Sequence, residues 1–352
     1  MTQSQASKCD FVKWLVIPAL ALLETATVFH PIAMAQQEGG GTIVFTHAPD
    51  GGPPWPVEDI YAMDADGSNV RALTRDGHSH DPAWSSDGRH VLFVHDSVLQ
   101  RPAHKEDKQF ESHHPVELDV MDQDGANRRF LWRSESAIFS AAWSPDGKVL
   151  AVSTASQGSA NRSTSGNQPM RSGLFLLSAD GLGEPRLLFP DALTPAWSPD
   201  GSKLAFSAER PRGQWAIHVA SVDGSSDVQL TEPPVIAGSP AWSPDGKLVA
   251  FDEFADQRHQ QIFIMDPDGS HRRQITTDAN WSCGHPSWSP DGKRLVFSCR
   301  STLPPCGSVS SVGTMQPECA RRLFSISPFG PETKPSQLGE RDGTTPQFAP
   351  NR

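Results

Sequence analysis

From Thr42 onward the chain reads as short runs in which apolar and polar residues alternate, each run stopped by Pro, Asp or Gly. Alternation with period two puts successive side chains on opposite faces, so the runs predict strands. The runs also recur in phase. DPAWSSDGRHVLFVH begins at Asp81, SAAWSPDGKVLAVST at Ser140, TPAWSPDGSKLAFSA at Thr194, SPAWSPDGKLVAFDE at Ser239 and HPSWSPDGKRLVFSC at His285. This places Trp84, Trp143, Trp197, Trp242 and Trp288 in equivalent positions. A second pattern, IYAMDADGSNVRALT from Ile60 and IFIMDPDGSHRRQIT from Ile262 among others, alternates with the first.

Each unit follows from turn chemistry. In Ser-Pro-Asp-Gly, Pro sets φ at the second turn position and Gly takes the left-handed one, joining two antiparallel strands. Asp-x-Asp-Gly makes a second hairpin. A unit is therefore four strands, A to D, with Leu204 and Phe206 of strand B facing one layer together. One such sheet cannot bury both its faces, but sheets stacked radially cover each other, with Trp between them. The fold expected is all-β, a β-propeller. Residues 43–47 match a strand B without its strand A, and TPQFAPNR at the end of the sequence matches a strand A with Phe348 in the Trp position. Six blades result, the first closed by the C-terminal strand.

The WSPDG-x-x-LAF and DxDG-x-x-x-x-LT repeats resemble the WD40-like repeats of TolB-type propellers, over roughly residues 42–352. TolB-type proteins carry an α/β domain ahead of the propeller. Only Gln36 to Gly41 lie between the expected cleavage site and the first strand here, so the expectation is a propeller alone. The resemblance implies a place in the cell envelope and a lipoprotein or Tol-type partner.

The N-terminal stretch is read as an address and not as fold. Lys8 and Lys13 precede a mostly apolar run from Trp14 to Phe29, and Ala33-Met34-Ala35 offers an A-x-A cleavage site. Residues 1–35 are expected to be a signal peptide, 36–41 a linker and 42–352 the propeller, exported to the periplasm or beyond. Glu24 inside a run short of the ~20 residues of a spanning helix argues against a membrane anchor. Four cysteines then remain, and an oxidising compartment suits them. Cys283 and Cys299 bracket a hairpin and should meet; Cys306 and Cys319 would close a loop. Zinc is the rival reading, but no C-x-x-C pair occurs.

Composition narrows the partners. Lys+Arg number 30 against Asp+Glu 41, a net charge of −11, which disfavours nucleic acid. The aspartates of the turns supply much of that charge. Asp-x-Asp-Gly invites a calcium reading, but the further ligands of an EF-hand loop are missing and turn chemistry suffices.

The spacing between successive Trp positions is 59, 54, 45 and 46. The excess falls at 96–117, 155–172 and 300–321, with 48–58 in the matching place of the first blade, always between strands B and C. All insertions therefore decorate one face, the usual binding face of such a scaffold. On that face also fall His47, His78, His80, His95, His104, His113, His114 and His285. Imidazoles raise a transition-metal reading, yet no H-x-x-x-H pattern appears. Strand A should line the central channel, with Asp81, Ser140, Thr194, Ser239, His285 and Thr345 ringing its mouth and His80 beside them. Asp81 and His285 are the pair suited to acid–base work.

Two functions compete. The first is a non-enzymatic binding or scaffold module holding an envelope protein or lipoprotein at the loop face and channel mouth, with no cofactor and no membrane span after cleavage. The second is an oligosaccharide-lyase-like or sugar-binding propeller with its site at the same mouth, where Trp55 and Trp281 could form a sugar platform and a small ligand or metal could sit in the channel. A hydrolase is disfavoured: G-x-S-x-G is absent, and the chain is expected to end with its closing strand.

Overall fold

The computed structural model describes residues 31–34, 42–47, 58–96, 116–134, 136–155, 173–210, 214–232, 234–256, 259–303, 322–329 and 334–338. They form six four-stranded antiparallel sheets. Blade 1 holds β1 (Pro31–Met34), β2 (Thr42–His47), β3 (Asp59–Asp64) and β4 (Arg71–Ala72); blade 2 holds β5 (Ser79–Trp84), β6 (His90–Asp96), β7 (Val116–Asp122) and β8 (Arg129–Ser134). Blade 3 holds β9 (Ala137–Trp143), β10 (Val149–Ala155), β11 (Gly173–Ser178) and β12 (Arg186–Pro190); blade 4 holds β13 (Ala192–Trp197), β14 (Lys203–Arg210), β15 (Gln214–Ser221) and β16 (Asp227–Gln229). Blade 5 holds β17 (Ala237–Trp242), β18 (Val249–Phe254), β19 (Gln260–Met265) and β20 (Arg273–Gln274); blade 6 holds β21 (Trp281–Trp288), β22 (Leu295–Ser301), β23 (Arg322–Ile326) and β24 (Ser336–Leu338).

The core lies in the seams between blades, because each strand B feeds both of its neighbours. Leu204 and Phe206 of β14 pack with Ala151 and Leu174 of blade 3, while Ala205 packs with Phe251 of blade 5. The seam between blades 6 and 1 is closed the same way, by Ile43, Phe45 and Met63 against Val296, Leu323 and Leu338. Phe93, Phe206, Phe251 and Phe297 are fully buried at equivalent strand B positions. Truncating any of them to Ala costs about 3–5 kcal/mol.

The hairpin turns repeat atom for atom. Ser144 Oγ donates to Asp146 Oδ1 at 2.7 Å and accepts from Val149 N–H at 2.9 Å, and the same Ser–Asp bond recurs at Ser198–Asp200, Ser243–Asp245 and Ser289–Asp291. Neighbouring turns lie within van der Waals reach of each other. A Cβ on Gly201 would lie 3.6 Å from Pro145 Cδ, and one on Gly246 3.7 Å from Pro199 Cδ. The prolines of Ser-Pro-Asp-Gly therefore tile the turn face around the axis as well as setting φ.

The strands bracket the expected insertions: β6 ends at Asp96 and β7 starts at Val116, β10 ends at Ala155 and β11 starts at Gly173. Cys283 and Cys299 face each other across β21 and β22 and are disulfide-bonded. Cys306 and Cys319 lie outside the described residues. The structure also has one pairing that the repeat pattern does not predict. The inner place beside β2 is taken by Pro31–Met34, which pairs with it antiparallel, so a strand lies inside the stretch read as a leader. The segment expected there, ending in TPQFAPNR, lies outside the described residues. The physical reason is that an inner strand edge offers only backbone N–H and C=O groups, which any extended segment can satisfy.

Candidate binding site at the channel mouth

A cavity of about 570 Å³ runs along the propeller axis. Asp81, Ser140, Thr194, Ser239 and His285 line it together. Thr345 lies outside the described residues. Toward the turn face the lining becomes Pro145, Pro199, Pro244 and Pro290 with the repeat tryptophans. The channel is thus polar at its loop-face end and apolar at the other.

The polar ring is built by a backbone device the repeat does not announce. Asp81, Thr194, Ser239 and His285 have φ of 53°, 50°, 49° and 57°. Each precedes a proline, a position that ordinarily favours extended backbone. A left-handed β-branched residue such as Thr194 is rarer still. Each sits in a register break of strand A, between His80 and Ala83, Leu193 and Ala196, Gly238 and Ala241, and Gly284 and Ser287. The bulge lifts one residue out of the ladder and re-aims it. Such strain costs on the order of 1–3 kcal/mol per residue and gathers where function needs it. Ser140, followed by Ala instead of Pro, is not left-handed and pairs with Ser153, the register shift of blade 3 falling just before it, between Ile138 and Ser140.

The bulges free backbone donors that neighbouring blades capture. Asp81 N–H donates to Thr46 Oγ1 of blade 1 at 3.1 Å, and His285 N–H donates to Asp252 Oδ2 of blade 5 at 3.0 Å. A Cβ on Gly284 would lie 3.0 Å from the same Oδ2, so glycine is what lets that carboxylate approach. Ser239 Oγ and His285 Nδ1 share a hydrogen bond of 3.2 Å across the seam of blades 5 and 6. Thr194 and Ser140 bond the hydroxyls of Ser207 and Ser153 at 2.8 and 3.1 Å.

Asp81 and His285 are each engaged within their own part of the ring. Asp81 Oδ2 lies 3.0 Å from His80 Nδ1. Burial works against a charged His80, but hydrogen bonds and the fields of Asp81 and Asp96 outweigh it, and the imidazole is held well above the usual histidine range. Trp281 packs edge-on against Phe324 with ring centroids 5.2 Å apart, so it belongs to the blade 6 core. Trp55 and the loop histidines His104, His113 and His114 lie outside the described residues. The Asp-x-Asp-Gly carboxylates are occupied by their own turns: Asp66 accepts from Ser68 N–H at 2.9 Å and Asp64 from Asn69 Nδ2 at 2.6 Å. Sequence reasoning missed Glu58, a half-buried carboxyl at the edge of this ring; nothing in its local sequence marks it.

Comparison with known proteins agrees with this geometry. Residues 187–313 match the family described as TolB beta propeller domain. The Tol-Pal system protein TolB of Anaeromyxobacter dehalogenans strain 2CP-C is 31% identical over 120 residues, 34% of this chain and 25% of that protein. The match therefore spans a quarter of the length of that relative. The crystal structure of TolB from Acinetobacter baumannii superposes with a TM-score of 0.57 at 14% identity, covering 89% of this chain and 80% of the other. An oligogalacturonate lyase from Vibrio parahaemolyticus superposes with a TM-score of 0.50 at 12% identity, covering 73% of this chain and 70% of the other. At these identities the structural matches speak for the fold.

Proposed function

From the premise that this chain carries a TolB-type β-propeller, we propose that it is an exported, non-enzymatic binding module of the cell envelope. It holds a protein partner at the loop-decorated face, over the channel mouth. The observation that carries this reading is the ring of left-handed residues at Asp81, Thr194, Ser239 and His285. Four strained bulges on one face, each braced by a neighbouring side chain, amount to an investment that packing alone does not need. The kinship with Tol-Pal proteins supplies the envelope and the protein class of the partner. Export rests on the leader reading of residues 1–35, cleaved after Ala35. Among the described residues no helix is long and apolar enough to cross a membrane.

The test is affinity capture from an envelope extract with the full chain as bait, beside a variant whose residues 97–115 are replaced by a short Gly-Ser link. One envelope protein retained by the first bait and lost by the second supports the reading; equal retention contradicts it.

A second reading places an acidic oligosaccharide in the same cavity, favoured by the polar ring with its Ser239–His285 bond. Turnover of such a substrate, abolished by His285→Ala in a folded protein, would replace the first reading.

A further inference from the structure

Blade 6 differs from its neighbours in one cross-strand pair. The pair just before each left-handed bulge is Ser79 with His95 in blade 2, Ala192 with Ala208 in blade 4 and Ala237 with Glu253 in blade 5. In blade 6 it is Cys283 with Cys299, and the two are disulfide-bonded. The other three blades reach the same left-handed ring residue without a covalent bond. The hairpin of blade 6 also has other ties. Trp281 pairs with Ser301 and Ser282 with Arg300. Thr302 N–H donates to Asn280 O at 2.8 Å, and Gln260 N–H donates to Ser282 Oγ at 3.1 Å. Neither the hairpin nor the bulge as such therefore calls for a disulfide.

What the disulfide bounds is the segment that carries His285. Gly284 follows Cys283 at once, and glycine has the most backbone freedom to lose. On the far side of the bulge, Trp288 is tied to Ala241 O. His285 meets blade 5 twice, through its N–H on Asp252 Oδ2 at 3.0 Å and through Nδ1 on Ser239 Oγ at 3.2 Å. Both bonds cross the seam, so they form only while strand A of blade 6 stays in place against blade 5. Cys283 and Cys299 pack in that same seam, with Ala250 and Ile262 of blade 5. Without the bond, slack appears next to a glycine at the imidazole corner of the ring.

We propose that the Cys283–Cys299 bond is a redox lock on the channel mouth: the His285 corner takes its docking geometry only once the bond has formed, so docking is tied to arrival in an oxidising compartment. This rests on the docking and export readings above. Cytosolic thiols are kept reduced, whereas exported chains meet disulfide oxidants. In the locking step the two cysteine sulfurs join and the S–S bond of the oxidant breaks, its two sulfurs taking up the two electrons and two protons. A dithiol present during folding keeps the pair reduced. Both cysteines are buried in the folded blade, so the bond is shielded once made and the lock is set as the blade folds. A ring that holds its geometry only part of the time binds more weakly by that fraction.

The test compares three samples: the oxidised full chain, the full chain folded with dithiothreitol present, and the double variant Cys283→Ala/Cys299→Ala. The variant carries the Ala–Ala pair of blade 4 and leaves Cys306 and Cys319 untouched. Imidazole and amide NMR shifts report the ring, and affinity capture from an envelope extract reports docking. His285 and Ser239 signals should move alike in the reduced protein and in the variant, while Thr194 and Phe206 of blade 4 keep theirs and so report an intact fold. The variant should capture roughly tenfold less of the envelope protein than the oxidised chain, as expected if the ring is correct about a tenth of the time. Unmoved His285 signals, or a disturbance spread equally over Thr194, would overturn the proposal. Equal capture by the two baits removes the lock and leaves docking standing; capture by neither removes the docking reading and the lock with it.

Discussion

The indole Nε1 of Trp197 donates to the carbonyl oxygen of Ala142 at 3.1 Å, across 55 residues of chain. Trp288 repeats the bond to Ala241, also at 3.1 Å. In both cases the acceptor is the residue just before the preceding blade's own Trp. At Trp197 and Trp288 the repeat tryptophan therefore works as a rivet between consecutive inner strands, in addition to filling the seam, whereas the buried indole nitrogens of Trp84, Trp143 and Trp242 meet no such acceptor among the described residues.

Replacing Trp288 by Phe should keep most of the apolar contact and leave the Ala241 carbonyl without that donor. A loss of about 1–2 kcal/mol is expected, read from the urea midpoint. An unchanged midpoint would show that the bond contributes nothing net.

Gly284 and Asp252 should behave as one unit. Gly284→Ala drives a Cβ toward the Asp252 carboxylate and disturbs the His285 N–H that it holds. The expected cost is about 1–3 kcal/mol. Combined with Asp252→Ala, the glycine substitution should cost much less, because the atom it meets is gone. Strict additivity in that double-mutant cycle would refute the coupling.

The turn aspartates predict how the fold responds to acid. Asp200 is lowered to about 2, first by the Ser198 hydroxyl and then by bonds from Ser202; Asp87, Asp146, Asp245 and Asp291 are lowered by similar partners. A depressed carboxylate contributes stability that is complete above its unfolded value near 4 and fades as pH falls through the folded value. Tm should therefore decline between about pH 4 and pH 2, and Ser198→Ala should shallow that decline. A decline of the same steepness in the variant would assign acid lability elsewhere.

Much of this architecture is legible in the repeats, because strand alternation, turn chemistry and the Trp period are local and each is restated five times. The Cys283–Cys299 pairing follows from hairpin register for the same reason. The left-handed ring residues are not legible. Xaa-Pro by itself argues for extended backbone, and the conformation survives at Asp81 and His285 because Thr46 and Asp252 of other blades catch the freed N–H groups. Glu58 escapes for a similar reason: its neighbours His80, Asp81 and Asp96 reach it only once two blades are stacked. The inner strand of blade 1 is ambiguous in the sequence, since TPQFAPNR matches the strand A pattern while Pro31–Met34, which carries no such pattern, pairs with β2.

That ambiguity is testable. If the leader is removed after Ala35, Pro31–Met34 leaves β2, and the C-terminal segment is the replacement. Deleting residues 344–352 from protein that begins at Gln36 should then cut hydrogen-exchange protection along β2, at Ile43 and Phe45 above all. Undiminished protection would mean that the edge is covered by another segment.

The most direct test of the binding account is site-specific photo-crosslinking in the envelope. A photo-reactive residue at Ser239, on the ring, is compared with one at Lys247, on the opposite turn face. The account predicts a defined adduct with one envelope protein from Ser239 and none from Lys247. An adduct from Lys247 alone, or equal labelling from both, would contradict it.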